Sequence, residues 1–378
     1  MKLRLINQKR LILAILSAKI LYLFLSVNVI SQYTQLGDTE RYLSAQQLDL
    51  QLNSTAVMDS IGYLTSGLPS GLKHLPMLFL SFSGLVYLIK VMGQTNIIKT
   101  SNDRLIIFIF FAIPSFGIWS SIHSKEAVGV LYMSIIAAFI IRVNIQKIIF
   151  PNFLEALALF LCALFKPQYL ISIITVYVFV VVIRQCKLSV GLQILIFLLC
   201  VSFQTTFLYI LQPTIDGLAV QMHGHFDSQT AMSTRENLLV EPGDFFKYLL
   251  FGMFISFYGP LLSEISNSYI KLLTFIESLF LVISMLYVFF LAVLKSFPKF
   301  TPVNFFIVFL SFFWLLFVHY PFGFFNPGAA IRYRTGFLPF LYAMLMMYLN
   351  HKNTFHSSQY GGFKTRLRFE KNNGNDFE

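Results

Sequence analysis

Charge is what this chain has least of. Only 12% of its 378 residues are Asp, Glu, Lys or Arg, whereas 56% are hydrophobic and Phe alone contributes 43. A soluble chain of this length cannot hide so much apolar surface, so the bilayer must serve as its solvent. Cysteine is also scarce. Cys162, Cys186 and Cys200 lie in or beside apolar runs, and their spacing fits no zinc site, redox motif or disulfide framework. They read as small buried hydrophobes. No Walker loop, dinucleotide fingerprint, HExxH pair or nucleophile elbow occurs, and no internal repeat is visible. The apolar runs lack the alternation of a membrane β-barrel. The net charge is +11, but its basic residues are divided among loops on both faces. That is an orientation bias, with no nucleic-acid footprint.

What remains is a succession of helix-length apolar runs, hence an all-α, polytopic helical membrane protein. Hydropathy places ten spans at roughly 11–30, 76–92, 104–121, 127–143, 148–165, 168–184, 188–211, 270–294, 302–320 and 336–350. The run after Lys9-Arg10 is too long for a signal peptide and has no small-x-small cleavage site after it, so it reads as a retained first helix. Lys19 inside that run either snorkels or faces the interior. Asp244 to Tyr258 carries a stripe of Phe, Leu and Met but ends at Gly259-Pro260. It is too short to span, and is expected to lie in the interface or re-enter as an amphipathic helix on the outer face. Counting it as a span would put the basic C-terminal tail outside, against the positive-inside rule. Ten spans with both termini cytoplasmic keep most Lys and Arg residues inside. The expected organisation is a transmembrane bundle over 1–350, with long outer loops at about 31–75 and 212–269. Residues 351–378 form a basic, disordered cytoplasmic tail able to touch anionic lipid heads.

The charges outside the cytoplasmic segments cluster in short outer connections. Gly37-Asp38-Thr39-Glu40-Arg41-Tyr42 follows the first span. Asp38 there suits a helix N-cap or a general base at the membrane surface. Asp38 and Glu40 together suit a divalent metal only on extended backbone, because residues two apart on a helix point away from each other. Trp119 to Glu126 joins two spans and brings Lys125 and Glu126 to a tight turn. That pair suits either helix capping or a lipid phosphate. Lys166, before Pro167, lies in an equally short turn. Asn326 to Arg334 places Arg332 and Arg334 in an outer segment, against the orientation bias. On extended backbone both face one way and clamp one phosphate; on a helix only one faces the site. His223, His225 and Arg235 lie in the long polar segment, where they suit an acceptor-binding loop or plain solvated chain. Glu277 and Lys271 read as an intrahelical or bundle pair, and Glu155 as an unexplained intramembrane acid.

GDTERY at 37–42, WSSIHSKEA at 119–127 and NPGAAIRYRTGFLP at 326–339, together with the span pattern, resemble GT-C-like integral membrane glycosyltransferases of bacterial surface-polysaccharide gene clusters. The resemblance implies a polyprenyl-phosphate or polyprenyl-diphosphate sugar donor, a glycan or lipid-linked acceptor, and inverting transfer at the outer face of the cytoplasmic membrane. It implies Asp38 or Glu40 as base. It implies Arg332, Arg334, Lys125, Lys166 and Arg41 around the lipid phosphate, with a divalent metal left open. The Asp-x-Glu arrangement departs from the commonest acidic pairs of that class. Two other readings fit the same features: a repeat-unit polymerase or ligase, and a flippase for lipid-linked sugars. The flippase is disfavoured by the missing repeats and the nearly uncharged midplane.

Overall fold

The computed structural model describes residues 2–49, 51–186, 188–225, 235, 241, 243–265, 268–296 and 302–350. The expected disordered tail, 351–378, lies outside the described residues. Every regular element among them is helical: α1 Lys2–Asn28, α2 Thr39–Leu43, α3 Ser54–Leu64, α4 Leu75–Gln94, α5 Ser101–Phe111, α6 Pro114–Trp119, α7 Lys125–Gln146, α8 Phe153–Phe165, α9 Leu170–Cys186, α10 Val190–Ile210, α11 Gln212–His225, α12 Asp244–Lys247, α13 Leu249–Tyr258, α14 Tyr269–Ser296, α15 Pro302–Phe325 and α16 Pro327–Asn350. Short 3₁₀ turns extend several of them.

Seven helices are long and apolar enough to cross a membrane, over 8–32, 72–94, 125–146, 167–186, 190–210, 269–296 and 302–325. This is a multi-pass helical membrane protein. The three other expected spans take different forms. The run at 104–121 is broken, with α5 ending at Phe111 and α6 starting on Pro114. Proline supplies no N–H and pre-sets the φ of a new first turn. The run at 148–165 is helical only from Phe153, giving a 13-residue α8. The run at 336–350 lies within the 24-residue α16, which begins nine residues earlier than expected and so carries both arginines.

α7 and α16 form the axis of the bundle, with nearly every residue of α16 buried. Their backbones meet where a Cβ on Gly129 would lie 3.0 Å from Gly336 Cα. Small residues allow such close approach, which sets packing in a lipid solvent that gives apolar side chains no drive to associate. α4 abuts α7 in the same way at Gly84, where a Cβ would lie 2.7 Å from Leu131 Cα. By contrast α10 turns almost all of its surface outward, as a lipid-facing helix does.

Polar residues mark the two ends of the bundle. At one rim the α6–α7, α8–α9 and α15–α16 junctions meet. At the other, Asn144 donates to Asn304 Oδ1 (3.2 Å), and Asn350 donates to the Ile97 carbonyl and to Asp103 Oδ1 (both 2.9 Å). Glu155, expected as an intramembrane acid, belongs to that second rim. It is the N3 residue of an Asn152 capping box on α8, and it accepts from Arg142 at 2.5 Å. Lys19 faces the interior, donating to the Ser120 carbonyl (2.8 Å) and to Ser120 Oγ (2.7 Å) where α6 ends.

The 31–75 segment is folded. α2 packs on α3 so tightly that a Cβ on Gly62 would fall 1.9 Å from the Tyr42 carbonyl oxygen. The expected amphipathic helix is present as α12 and α13. Gly252 lies against the Tyr320 ring and Ser256 donates to the Tyr320 carbonyl (3.0 Å), while Leu250, Phe251 and Phe254 are exposed. α13 stops at Gly259, whose φ of +98° takes the chain out of the helix.

Candidate functional site

Three junctions and the α2 turn converge on Arg332. It lies early in α16, which starts on Pro327 with the Asn326 side chain accepting from the Ala329 N–H at 3.0 Å. Glu126 lies in the first turn of α7, opened by the Ser124 N-cap, whose Oγ accepts from Ala127 N–H (3.1 Å) and donates to the Trp119 carbonyl (2.6 Å). That cap aims the buried Glu126 carboxylate at the rim. Arg332 Nε donates to Glu126 Oε1 and Arg332 Nη2 donates to Asp38 Oδ2, each at 3.0 Å. One guanidinium thus bridges two carboxylates, and the rings of Trp119 and Tyr333 flank it at 5.4 and 5.3 Å.

Asp38 reaches this position because Gly37 adopts φ +60° and carries no side chain. A Cβ there would fall 2.2 Å from Arg332 Nη1. Asp38 is the residue preceding α2, yet its side chain makes no capping bond and is spent on Arg332. Helix capping therefore does not account for it. Burial pushes its carboxyl up, but the Arg332 charge and hydrogen bond outweigh that and hold it below the usual carboxylate range.

Glu40 is exposed on α2. Because α2 is helical from Thr39, Asp38 and Glu40 do not share a face. Among the described residues no three His, Cys, Asp or Glu side chains gather where they could hold a metal. Arg41 covers the Tyr42 ring at 4.6 Å and pairs with Asp59 at 3.7 Å, largely in solvent. Lys125 donates to Ser54 Oγ (3.1 Å) and Thr55 Oγ1 (2.8 Å), tying the α3 cap to α7.

Lys166 is the least satisfied cation of the group. Its ammonium lies 4.9 Å from the ring centres of both Phe322 and Tyr333. Among the described residues no hydrogen bond or ion pair reaches it. Burial pushes its pKa down to about 8; Glu126 raises it, while Arg332 and Lys125 lower it further. Lys125, Glu126 and Lys166 line one cavity of about 10 Å³ with Tyr132, Tyr169 and Tyr333. It has room for a single water-sized group.

The two arginines of α16 do not form a clamp. Their stretch is helical, so residues two apart point to different sides. Arg334 is fully buried, pairs with Glu277 at 3.4 Å, and donates to the carbonyls of Phe257 (2.7 Å) and Tyr258 (3.1 Å) and to Ser278 Oγ (3.1 Å). It ties the end of α13 to α14. Glu277, expected to pair with Lys271, instead holds Arg334 and accepts from the Ser115 N–H at 2.9 Å and from the Ser115 hydroxyl. Arg235 is no free acceptor-binding arm either. It pairs with Glu264 at 2.6 Å and donates to the carbonyls of Gly259 (2.5 Å), Gly323 (3.3 Å) and Phe324 (3.0 Å), capping the ends of α13 and α15. The backbone of His223 and His225 closes α11; their side chains lie outside the described residues.

The partner of Glu126 is what the sequence does not show. The place of Glu126 in the first turn of α7 reads as a favourable helix-start charge, and nothing local shows that Arg332, 206 residues away, completes it. No protein-family model matches this chain, and no curated protein or solved structure matches it.

Proposed function

We propose that this membrane protein transfers a sugar from a polyprenyl-phosphate or polyprenyl-diphosphate donor to a glycan or lipid-linked acceptor. The setting is the outer face of a bacterial cytoplasmic membrane during surface-polysaccharide synthesis, in a GT-C-like bundle of ten spans with both termini cytoplasmic. The observation that carries the reading is the gathering of Asp38, Lys125, Glu126, Lys166 and Arg332 at one rim from four separate stretches of chain. Two carboxylates offer a proton acceptor, and Lys166, whose ammonium meets no hydrogen bond or ion pair among the described residues, offers its charge to a phosphate. In this scheme Arg332 and the two lysines stabilise the negative charge that develops on the departing lipid phosphate. The Asp38 and Glu126 carboxylates keep Arg332 oriented. The exposed face of α13 lies on the lipid side as the donor enters.

Complementation of a strain lacking this chain tests the reading, with wild type, Asp38→Asn and Arg332→Ala compared at matched membrane expression. Loss of mature glycan with build-up of an unmodified lipid-linked precursor is the expected result, and the precursor's structure identifies the missing step. Full activity in both variants would sink the site.

Two further outcomes follow from the geometry. Gly37→Ala places a methyl group on the Arg332 guanidinium in a backbone conformation that disfavours it, and displaces the Asp38 turn. The expected effect is a loss of roughly 10²-fold in glycan formation with little change in folded protein, since an ångström of misplacement is enough; size-exclusion chromatography and glycan quantitation together check it. Burial pushes the pKa of the Lys166 ammonium down to about 8. Binding of a polyprenyl phosphate should therefore be strongest near pH 7, where the phosphate carries its second charge and the ammonium is still protonated, and weaken as pH rises through about 8. The dependence should vanish in Lys166→Met, as read by titration in detergent or nanodiscs.

A further inference from the structure

Glu126 is held by one oxygen only. Oε1 accepts from Arg332 Nε at 3.0 Å, whereas Oε2 is buried and has no hydrogen-bond partner among the described residues. The side chain is 4% exposed and lines the small cavity that Lys125 and Lys166 also line. A buried carboxylate oxygen with no donor carries a desolvation cost, which a donor entering the cavity would relieve. Asp38 is placed differently. Its side chain is 49% exposed and does not line the cavity. Arg332 holds it deprotonated at lower pH than usual.

We propose that the cavity receives the acceptor's reacting hydroxyl and that Glu126 Oε2 takes its proton, with Asp38 acting as a positioning residue through Arg332. This rests on the sugar-transfer reading and names the base within it. The cavity admits one oxygen-sized group, so the hydroxyl enters while the sugar rings and the donor phosphate stay at the mouth beside Lys125, Lys166 and Arg332. In the step, the hydroxyl oxygen forms a bond to the anomeric carbon and its proton passes to Glu126 Oε2. The bond between that carbon and the phosphate oxygen breaks, and its electron pair stays on the released lipid phosphate. The attack comes from the face opposite the leaving group, so the anomeric centre inverts. The proton on Glu126 returns to solvent through the same opening after product leaves.

The test compares wild type, Glu126→Gln, Glu126→Asp and Asp38→Asn as full-length protein. Turnover is read as mature glycan and lipid-linked precursor in the complemented strain. Binding is read with the purified protein and a polyprenyl phosphate in nanodiscs. Glu126→Gln keeps shape and the Arg332 contact, so it should bind the lipid phosphate within about threefold of wild type. It should lose turnover by roughly 10²–10⁴-fold, the span of a lost general base. Glu126→Asp should recover a measurable part, and Asp38→Asn should lose less than Glu126→Gln. Turnover above a third of wild type in Glu126→Gln, with Asp38→Asn inactive, overturns the assignment of Glu126 and leaves the transfer reading standing. Unchanged glycan in the deletion strain, with no lipid-phosphate binding by the wild type, removes the transfer reading itself. Failure of Glu126→Gln to accumulate as folded protein shifts the decision to Glu126→Asp, where full wild-type turnover overturns the proposal and a drop of tenfold or more at unchanged binding supports it.

Discussion

Arg332→Ala should abolish activity and also destabilise the protein, and the second effect should be reversible by a second substitution. The guanidinium is the recorded partner of the buried Glu126 carboxylate and is itself only 12% exposed. Removing it strands a charge in a site that water barely reaches, which costs about 3–5 kcal/mol where a buried pair is broken from one side. The Asp38 bond adds little to that figure, because Asp38 is half in solvent. Arg332→Ala combined with Glu126→Gln should recover most of the lost stability, since no buried charge is then left unpaired, and should recover no activity. Arg332→Lys should restore part of the stability and little activity, because an ammonium is a point donor without the fork that bridges two carboxylates. Thermal unfolding of the purified protein in detergent supplies the cycle. A single Arg332→Ala variant as stable as wild type would show that Glu126 does not depend on this contact.

Arg334→Ala should fail differently, although the two arginines are separated by one residue. Arg334 makes its contacts to Glu277, Ser278 and the last carbonyls of α13, all away from the cavity. Its loss leaves a buried carboxylate and unsatisfied carbonyls together, again about 3–5 kcal/mol, and the expected result is little folded protein in the membrane. Arg334→Met with Glu277→Gln removes both charges and keeps volume. That double variant should accumulate and bind a polyprenyl phosphate like wild type, as quantitative immunoblotting and the nanodisc titration will read. Weakened lipid-phosphate binding in a well-folded double variant would instead restore Arg334 to the site.

Why sequence separates these arginines only in part is a matter of periodicity. The α16 run loses its hydropathic signal where Arg332 and Arg334 enter, so apolar windows begin the span near 336, while the helix begins at Pro327. Both alternatives, extended clamp and helix, were open on the residues; the helix decides. The helical class and the seven long apolar runs were legible because lipid demands both length and internal hydrogen bonding. Asp38, Lys125, Lys166 and Arg332 were legible as charges in short turns against the orientation bias. The pairing of Glu126 with Arg332 and the structural work of Arg235 were not, since the partners lie 206 and 29 residues away and at helix-end carbonyls that no motif marks.

The back-to-back contact of Gly129 and Gly336 has a mechanical meaning for the rim. Glu126 and Arg332 both stand one turn from that contact, on helices whose backbones touch there, so the close approach of the two helices sets the separation across which the pair is made. Asp38 rides on the short α2 segment, joined to that wall by Arg332 and by the Thr39 hydroxyl on the His123 carbonyl at 3.0 Å. A bulky chain approaching the rim therefore meets the α7–α16 wall on one side and the α2–α3 pair on the other. Displacing the second would break the half-exposed Asp38–Arg332 ion pair and the Thr39 hydrogen bond and would also uncover Tyr42, buried against α3.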